Sequence, residues 1–225
     1  MEYVISVLVG YLLGSISPAA LIAKIKKTNL RKAGTGNLGA TNTTLVFGKK
    51  FGIIVMAFDI FKSALAVIIA KLIFSEVSAL AGLLAGASAV VGHMFPFYMK
   101  FRGGKGLASY GGMILAFDPL LFLILLCLSL AAMFIFNYGV AMTVSAAVCF
   151  PFLVAFRYRE NGLVIALAIV AAFVSALLIA RHIGNIHRAF TSRELTVRQF
   201  LKRVFGKSKP AENEDQEEKA ESANK

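Results

Sequence analysis

The stretch KAGTGNLGATNTTLVFGKK, residues 32–50, is a polar, glycine-rich segment that lies between two apolar runs. Its backbone N–H and C=O groups cannot face lipid, because each unpaired group would cost several kcal/mol there. The segment therefore lies in water or lines a protein cavity. Glycines let neighbouring N–H groups converge, and lysines flank them, which is typical of an anion site. A flexible linker is the alternative, although a spacer needs few hydrogen-bonding side chains, and this segment has Thr35, Asn37, Thr41 and Asn42.

The composition indicates a polytopic membrane protein. Of the 225 residues, 58% are hydrophobic, the mean hydropathy is +0.74 and the formal net charge is +12. A soluble domain is usually about 45–50% apolar. Cys127 and Cys149 lie inside apolar runs without CxxC spacing, so we interpret them as packing residues. Residues 3–23 follow no Lys or Arg, which favours a retained span over a signal peptide.

The spacing of apolar segments predicts an all-α fold with seven transmembrane helices. The segments cover about residues 3–23, 52–70, 77–99, 107–117, 119–136, 140–156 and 162–180. The fourth is short, and Asp118-Pro119 separates it from the fifth. Because proline disfavours helix at the residue before it, we expect a hairpin break there.

Basic residues support the count of seven. Most of them fall in three groups, after the first, third and last apolar segments. The positive-inside rule places all three groups in the cytoplasm. Seven spans with the N-terminus outside and the C-terminus cytoplasmic satisfy this rule, whereas six spans place the last group outside.

The C-terminal part divides at about residue 205. Residues 194–205 place Val197, Leu201 and Val204 on one helical face, which predicts a short helix on the inner leaflet. The charged residues 206–225 lack large apolar side chains and are predicted to be disordered. We therefore expect one transmembrane domain over residues 1–205 and a tail over 206–225.

Two further polar clusters lie at predicted cytoplasmic ends of spans. GHMFPFYMKFRGGKGLAS, residues 92–109, places Lys105 just before a helix N-terminus, a second favourable place for an anion. RHIGNIHR, residues 181–188, places His182 and Asn185 on one helical face. The alternatives are an interfacial anchor of Lys and aromatic residues, and a snorkelling Arg and His end. Three such clusters on one side favour phosphate binding.

Carboxylates limit the class of reaction. Six of the twelve lie in the tail, and four belong to the predicted outer face, which leaves Asp59 and Glu194 for the inner side. This is a poor set for a two-metal site and disfavours metal-dependent lipid synthases of the CDP-alcohol type. Ion-coupled transport is also disfavoured, because a transporter of that kind usually has acidic residues inside its spans. We predict that Asp59 and Lys62 pair, one turn apart, and hold the preceding loop, and that His93 is structural.

A phosphate site without metal or cofactor suits transfer to or from an activated phosphate. Such a site need only align donor and acceptor, screen charge and move one proton. His182 is the natural proton acceptor by residue type, and the departing phosphate is the alternative.

With these clusters in view, residues 10–203 resemble the acyl-phosphate-dependent glycerol-3-phosphate acyltransferases of bacteria, the PlsY family. The matching stretches are GSIS (14–17), GTGNLGATN (34–42), FDIFK (58–62), and the second and third clusters. The resemblance implies a bacterial inner-membrane enzyme with its active site facing the cytoplasm. It would transfer a fatty acyl group from acyl phosphate to the 1-hydroxyl of sn-glycerol 3-phosphate, giving lysophosphatidic acid and phosphate. Membrane lipids would be its other partners, and nucleic acid would not be one.

The resemblance and the clusters together give the candidate site. The catalytic candidates are His182, Asn185 and Lys105. The binding candidates are Ser15, Thr35, Gly36, Asn37, Gly39, Ala40, Thr41, Asn42, Gly103, Gly104 and Arg181, and the structural candidates are Asp59, Lys62 and His93. No metal ligand is predicted.

The chain departs from the family pattern at several positions. Thr35 replaces a usual Ser, and Ser63, Val140 and Ser192 also differ from the usual residues. Leu45 stands where the family has an Arg that helps to hold the acceptor phosphate. Losing that contact could cost roughly 1.5–3 kcal/mol. Compensation would come from Lys49, Lys50 or Arg188; otherwise the chain is a divergent paralogue with another acceptor, or a non-catalytic protein that binds or transports phospholipids.

Overall fold

The computed structural model describes residues 1–205 and folds them into ten α-helices. They are α1 (Glu2–Ser15), α2 (Pro18–Ile25), α3 (Ala40–Phe47), α4 (Lys49–Ile73), α5 (Ser78–Met94), α6 (Leu107–Phe117), α7 (Pro119–Phe136), α8 (Gly139–Arg157), α9 (Val164–Phe190) and α10 (Val197–Phe205). The prediction of an all-α protein is confirmed. The tail predicted to be disordered, residues 206–225, lies outside the described residues.

The first apolar run is bent, although the sequence predicts one span over residues 3–23. Helix α1 ends at Ser15, and α2 begins at Pro18. The proline ring disfavours helix at Ser17 but fits the first position of a new helix. Ser17 caps that helix, since its hydroxyl accepts a hydrogen bond from the Ala20 N–H at 3.3 Å. The carbonyl of Ile16, at the bend, accepts a hydrogen bond from Lys62 Nζ at 2.7 Å.

A second break separates α6 from α7 at Asp118, as the sequence predicts. One carboxylate oxygen of Asp118 accepts hydrogen bonds from the N–H groups of Leu120 and Leu121, at 3.0 and 3.2 Å. These two groups would otherwise lack partners at the start of α7. The other oxygen accepts from the Tyr158 hydroxyl at 3.3 Å and lies 3.3 Å from Arg157 Nε. Asp118 therefore joins the α6–α7 turn to the end of α8.

Small residues let the helices approach closely. Gly10 and Gly14 of α1 face Ala85 and Ala89 of α5, and a Cβ on either glycine would overlap an alanine carbonyl. Close backbone approach through small residues is a common way to pack helices in membranes. Helix α5 is the most buried of the long helices, so it forms the centre of the bundle.

The core around α5 contains a buried polar pair on α6 and α9. The hydroxyls of Tyr110 on α6 and Ser175 on α9 lie 2.7 Å apart. The Tyr110 ring packs edge-on against Phe150 of α8, with 5.5 Å between ring centroids. This hydrogen bond satisfies the polar end of a tyrosine that is 1% exposed and fixes α6 against α9.

Within residues 1–205, six segments are long and apolar enough to cross a bilayer. They are Glu2–Ile25, Lys49–Ile73, Ser75–Met99, Pro119–Phe136, Gly139–Arg157 and Val164–Phe190. Helix α6 is apolar but has 11 residues, roughly 16 Å, against a hydrocarbon core of about 30 Å. The predicted count of seven therefore corresponds here to six long segments and one short helix.

Both ends of the short helix α6 contact neighbouring helices. Its N-terminus follows the Gly103-Gly104 loop, which packs against the C-terminal end of α5. At its other end, Lys71 Nζ donates hydrogen bonds to the carbonyls of Ala116 and Phe117, at 3.3 and 3.0 Å. Lys71 lies at the end of α4, so both ends of α6 are fixed to neighbouring helices.

The helix predicted over residues 194–205 begins at Val197. Thr196 and Gln199 form a reciprocal cap, because each backbone N–H donates to the other side chain, at 3.0 and 3.2 Å. Before this helix, Thr196 forms an isolated antiparallel bridge with Tyr138, and the Val197 N–H donates to the Asn137 carbonyl at 3.0 Å. The C-terminal helix is therefore anchored to the α7–α8 turn.

Candidate active site

The glycine-rich loop before α3 is built around Asn42. Its side-chain NH2 group lies within 2.9 to 3.1 Å of the carbonyls of Leu30, Ala33 and Asn37, and its oxygen accepts from the Thr35 N–H at 2.6 Å. Asn42 is 0% exposed. The sequence predicts Asn42 as a substrate-binding residue, but its side chain is buried and engaged with the loop. In the structure, Asn42 instead fixes the conformation of the glycine-rich loop.

The loop conformation depends on two glycines. Gly34 has φ +57° and Gly36 has φ +72°, in the left-handed region where a side chain is unfavourable. A Cβ on Gly34 would also overlap the side-chain oxygen of Asn42. The loop ends at Gly39, where α3 begins, and the side chains of Thr35 and Thr41 remain exposed. The Thr35 and Thr41 side chains are therefore exposed beside this loop, and no side chain caps the first N–H groups of α3 within residues 1–205.

The second cluster folds back on α5 and contacts the first loop. The N–H groups of Gly103 and Gly104 donate to the carbonyls of Met94 and His93, at 2.9 and 3.1 Å. A Cβ on Gly104 would lie 2.7 Å from the carbonyl oxygen of Leu38 and would overlap the His93 ring. Only glycine fits between the first loop and His93, so the two predicted phosphate loops are in contact.

Arg181 connects the third cluster to the second. Its Nη2 donates to the carbonyls of Gly103 and Gly104, at 3.3 and 3.1 Å, and its guanidinium lies 5.3 Å from the Phe95 ring centroid. The sequence predicts Arg181 as a substrate-binding residue, and the structure places its charge on the glycine loop. The buried Nε atom has no partner within residues 1–205.

His182 has a defined tautomer. Its Nδ1 lies 2.8 Å from the Leu178 carbonyl oxygen, which can only accept, so Nδ1 carries the hydrogen. The other ring nitrogen, Nε2, then has the lone pair. His182 is 6% exposed, whereas the nearby His187 is exposed. The structure thus orients one imidazole nitrogen as a proton acceptor.

A chain of polar contacts joins Lys105 to the third cluster. Lys105 Nζ donates to the side-chain oxygen Oδ1 of Asn185, and the side-chain NH2 group of Asn185 donates to the carboxylate of Glu194. Arg188 Nε pairs with the other Glu194 oxygen at 2.7 Å. Burial lowers the pKa of Lys105 from 10.5; Glu194 partly offsets this, and Arg188 and Arg181 add to it. Lys105 is therefore a partly desolvated cation held by Asn185.

Glu194 is absent from the predicted site residues. Its side chain contacts Asn185 and Arg188, which precede it in the sequence by nine and six positions. The only sequence signal is that Glu194 is one of two acids left for the inner side, and nothing in the spacing indicates a return of the chain after α9.

Asp59 and Lys62 form the predicted pair, and His93 contacts both of them. Lys62 Nζ lies 2.7 Å from Asp59 Oδ1, and His93 Nδ1 lies 3.2 Å from the same oxygen and 3.0 Å from Nζ. All three side chains are buried. The sequence predicts that the pair holds the glycine-rich loop. Instead, Lys62 binds Ile16 at the α1–α2 bend, because α1 rather than the loop lies beside this turn of α4.

Ser15, a predicted binding residue, lies at the same bend. It is 2% exposed, its hydroxyl donates to the Tyr11 carbonyl at 2.7 Å, and its own carbonyl accepts from the Tyr98 hydroxyl at 2.7 Å. These contacts fix the end of α1 to the turn after α5. The Ser15 hydroxyl is therefore used inside the fold.

A cavity of about 520 Å³ opens beside the glycine-rich loop. It is lined by Gly34, Thr35, Thr44, Leu45, Gly48, Lys49, Leu195, Arg203 and Val204. Of the three basic residues proposed to compensate for Leu45, Lys49 lines this cavity with it. Arg188 is instead paired with Glu194.

Comparisons with known proteins agree with one another. A family model described as "Glycerol-3-phosphate acyltransferase" matches residues 4–192. A glycerol-3-phosphate acyltransferase of Aquifex aeolicus is 37% identical over 198 residues, covering 86% of this chain and 98% of the relative. That of Geobacillus kaustophilus is 38% identical over 192 residues, covering 85% and 94%.

Two solved structures share the fold. Both are crystal structures of PlsY (YgiH), an integral membrane glycerol 3-phosphate acyltransferase. The glycerol 3-phosphate form has a TM-score of 0.74 at 32% identity and covers 87% of this chain and 96% of that one. The lysophosphatidic acid form has a TM-score of 0.75 at 30% identity and covers 89% and 99%.

Proposed function

This chain belongs to the glycerol-3-phosphate acyltransferase family, and on that premise we propose that it acylates the 1-hydroxyl of sn-glycerol 3-phosphate. The donor is acyl phosphate, and the products are lysophosphatidic acid and inorganic phosphate. One observation carries the proposal: Arg181 and Asn185 of α9 contact Gly104 and Lys105 of the second cluster, and Gly104 packs on the first loop.

The donor phosphate binds where the two glycine loops meet. The exposed hydroxyls of Thr35 and Thr41, and the free N–H groups at the start of α3, supply neutral donors. Gly36, Asn37, Gly39 and Ala40 form the backbone of this loop. Lys105 supplies positive charge, and its partial burial strengthens its attraction to phosphate.

Three predicted binding residues have supporting roles in this proposal. Asn42 holds the first loop, Arg181 holds the Gly103-Gly104 loop, and Ser15 holds the α1–α2 bend. Their side chains keep donors and charges in place before substrate arrives. Such preorganisation avoids reorganisation during the reaction.

The reaction moves one acyl group and one proton. The acceptor oxygen bonds to the acyl carbon, the bond from that carbon to the phosphate oxygen breaks, and phosphate leaves with its electron pair. The acceptor proton goes to His182 Nε2, which the Leu178 hydrogen bond leaves with a lone pair, or to the departing phosphate. Lys105 screens the charge on the leaving group.

The protein is a multi-pass membrane protein, and we infer seven crossings with α6 as the short one. Two sets of contacts support this inference. At the N-terminal end of α6, contacts join the segments 31–38, 102–105 and 181–185. At the C-terminal end of α6, Lys71 contacts Phe117. The basic end faces the cytoplasm by the positive-inside rule. Residues 1–205 form the catalytic unit in the bacterial membrane, with its N-terminus outside.

The experiment is acyl transfer by purified protein in detergent or vesicles. Protein with acyl phosphate and glycerol 3-phosphate should form lysophosphatidic acid and release phosphate in equal amounts, with chelator present and no coenzyme A. No acyl product would refute the enzyme and favour a phospholipid-binding or transport protein on this scaffold. Product with another acceptor and not with glycerol 3-phosphate would indicate a divergent paralogue.

A further inference from the structure

The cavity beside the glycine-rich loop has a charged side and an apolar side. Lys49 and Arg203 supply two cations, and no Asp or Glu among residues 1–205 lines the cavity. Leu45, Leu195 and Val204 supply apolar surface. At about 520 Å³, the volume is in the range of small-molecule sites. This lining suits a compact anion attached to a small uncharged body.

Neither cation is neutralised by the part of the chain that the structure describes. No carboxylate within residues 1–205 pairs with Lys49 or Arg203. Lys49 Nζ instead lies 5.4 Å from the Phe205 ring centroid, a cation–π contact that holds it near α10. Within residues 1–205, Lys49 and Arg203 are therefore two cations of the cavity without an anionic partner.

The position of α10 is set by specific contacts. The Thr196–Gln199 cap starts the helix, and the Thr196–Tyr138 bridge fixes the segment before it. Arg203 therefore occupies a defined wall of the cavity.

The cavity adjoins the proposed catalytic groups. Leu195 lines the cavity, and its neighbour Glu194 binds Asn185, the partner of Lys105. Thr35 lines the cavity on the other side and belongs to the loop that packs on Gly104. An acceptor held in this cavity would lie next to the groups that bind the donor.

We propose that this cavity binds the phosphate monoester of the acyl acceptor, with Arg203 of α10 and Lys49 of α4 as its cationic partners. The assignment rests on the proposed acyl transfer. It makes the C-terminal helix a wall of the substrate site in addition to a membrane-surface helix. The product retains the same phosphate group, so lysophosphatidic acid competes for the same cations.

The test compares Arg203→Gln with Arg198→Gln, which removes an exposed charge from the same helix outside the cavity. Arg203→Gln should raise KM for glycerol 3-phosphate about tenfold, the usual scale of a lost charge-assisted contact. KM for acyl phosphate should change less than about twofold on the same scale, and Arg203→Lys should recover part of the loss. Equal KM values for glycerol 3-phosphate in Arg203→Gln and Arg198→Gln would overturn the assignment.

A binding measurement separates this assignment from the proposed reaction. Inorganic phosphate, glycerol 3-phosphate and lysophosphatidic acid should each raise the Tm of the wild-type protein, and Arg203→Gln should weaken all three shifts. If the wild type makes no product, the reaction is refuted, and the Tm shifts still decide whether the cavity binds phosphate. A shift lost only for lysophosphatidic acid would overturn the acceptor assignment and indicate a lipid site. If Arg203→Gln does not fold, Lys49→Gln serves for the same comparisons.

Discussion

Lys105 donates a hydrogen bond to Asn185 across 80 positions of sequence. The two residues lie in different predicted clusters, one before α6 and the other on α9. Their contact places an ammonium group beside the end of the helix that carries His182. It is the point at which the proposed donor-binding and proton-accepting groups come together.

Lys105→Ala should lower kcat/KM about tenfold to a hundredfold, because it removes a charge-assisted contact to the transferred phosphate. Lys100→Ala is the matched control, since Lys100 is exposed in the same loop. Steady-state assays with both substrates measure the effect. A Lys105→Ala enzyme as active as Lys100→Ala would remove Lys105 from the site.

His182→Ala should lower kcat by about 10²-fold or more if His182 takes the proton, on the usual scale of general-base catalysis. His187→Ala, five positions along α9 and exposed, should leave kcat unchanged. A smaller loss in His182→Ala, with folding intact, would assign the proton to the departing phosphate.

In the pH profile of kcat/KM, the loss of activity at alkaline pH should begin at a lower pH than it would if Lys105 had the usual pKa of a lysine. Burial lowers the pKa of Lys105 from 10.5, so its ammonium loses its proton earlier as pH rises, and phosphate binding weakens. The pH profile of kcat/KM reports this free-enzyme group. Lys105→Arg should move the alkaline limb to higher pH, and a limb that does not move would mean that another group titrates.

Asn42→Ala should lower the free energy of unfolding by about 3 kcal/mol, because buried carbonyls of the loop lose their donor. Thr41→Ala, next to it but exposed, should change stability by less than about 0.5 kcal/mol. Thermal unfolding in detergent compares the two. Equal Tm values would show that Asn42 does not organise the loop.

Asp59→Asn and Lys62→Met should each destabilise the protein by about 3–5 kcal/mol, because each leaves one buried charge without its partner. The double variant should regain part of that loss, since no ion then remains unpaired. Thermal unfolding of the four proteins measures the coupling. Simple additivity of the two losses would contradict an interacting pair.

The sequence analysis predicted the helix boundary at Asp118-Pro119 and missed the one at Ser17-Pro18. The Asp118-Pro119 break follows from the proline, and the same rule applies at Ser17-Pro18, where apolar length alone favours a single span. The T-x-x-Q pattern of Thr196 and Gln199 in the sequence also indicates their helix cap. It sets the start of α10 three residues after the predicted one.

The roles of polar side chains depended on contacts that sequence spacing does not contain. Asn42 and Ser15 have the residue types of ligands, but burial turns their hydrogen bonds inward. Glu194 enters the site because the chain turns back after α9. The charge pattern was sufficient to group the three clusters on one side, but it could not determine which atoms meet.

The shortness of α6 has a consequence for how a lipid reagent reaches the protein. If α6 is the seventh crossing proposed above, its 11 residues leave roughly 14 Å of a typical hydrocarbon core unspanned. The glycines at its start are then recessed below the level of the headgroups. A long-chain donor can present its reactive head in that depression while its tail stays among the lipid tails, so catalysis should depend on the thickness of the surrounding bilayer.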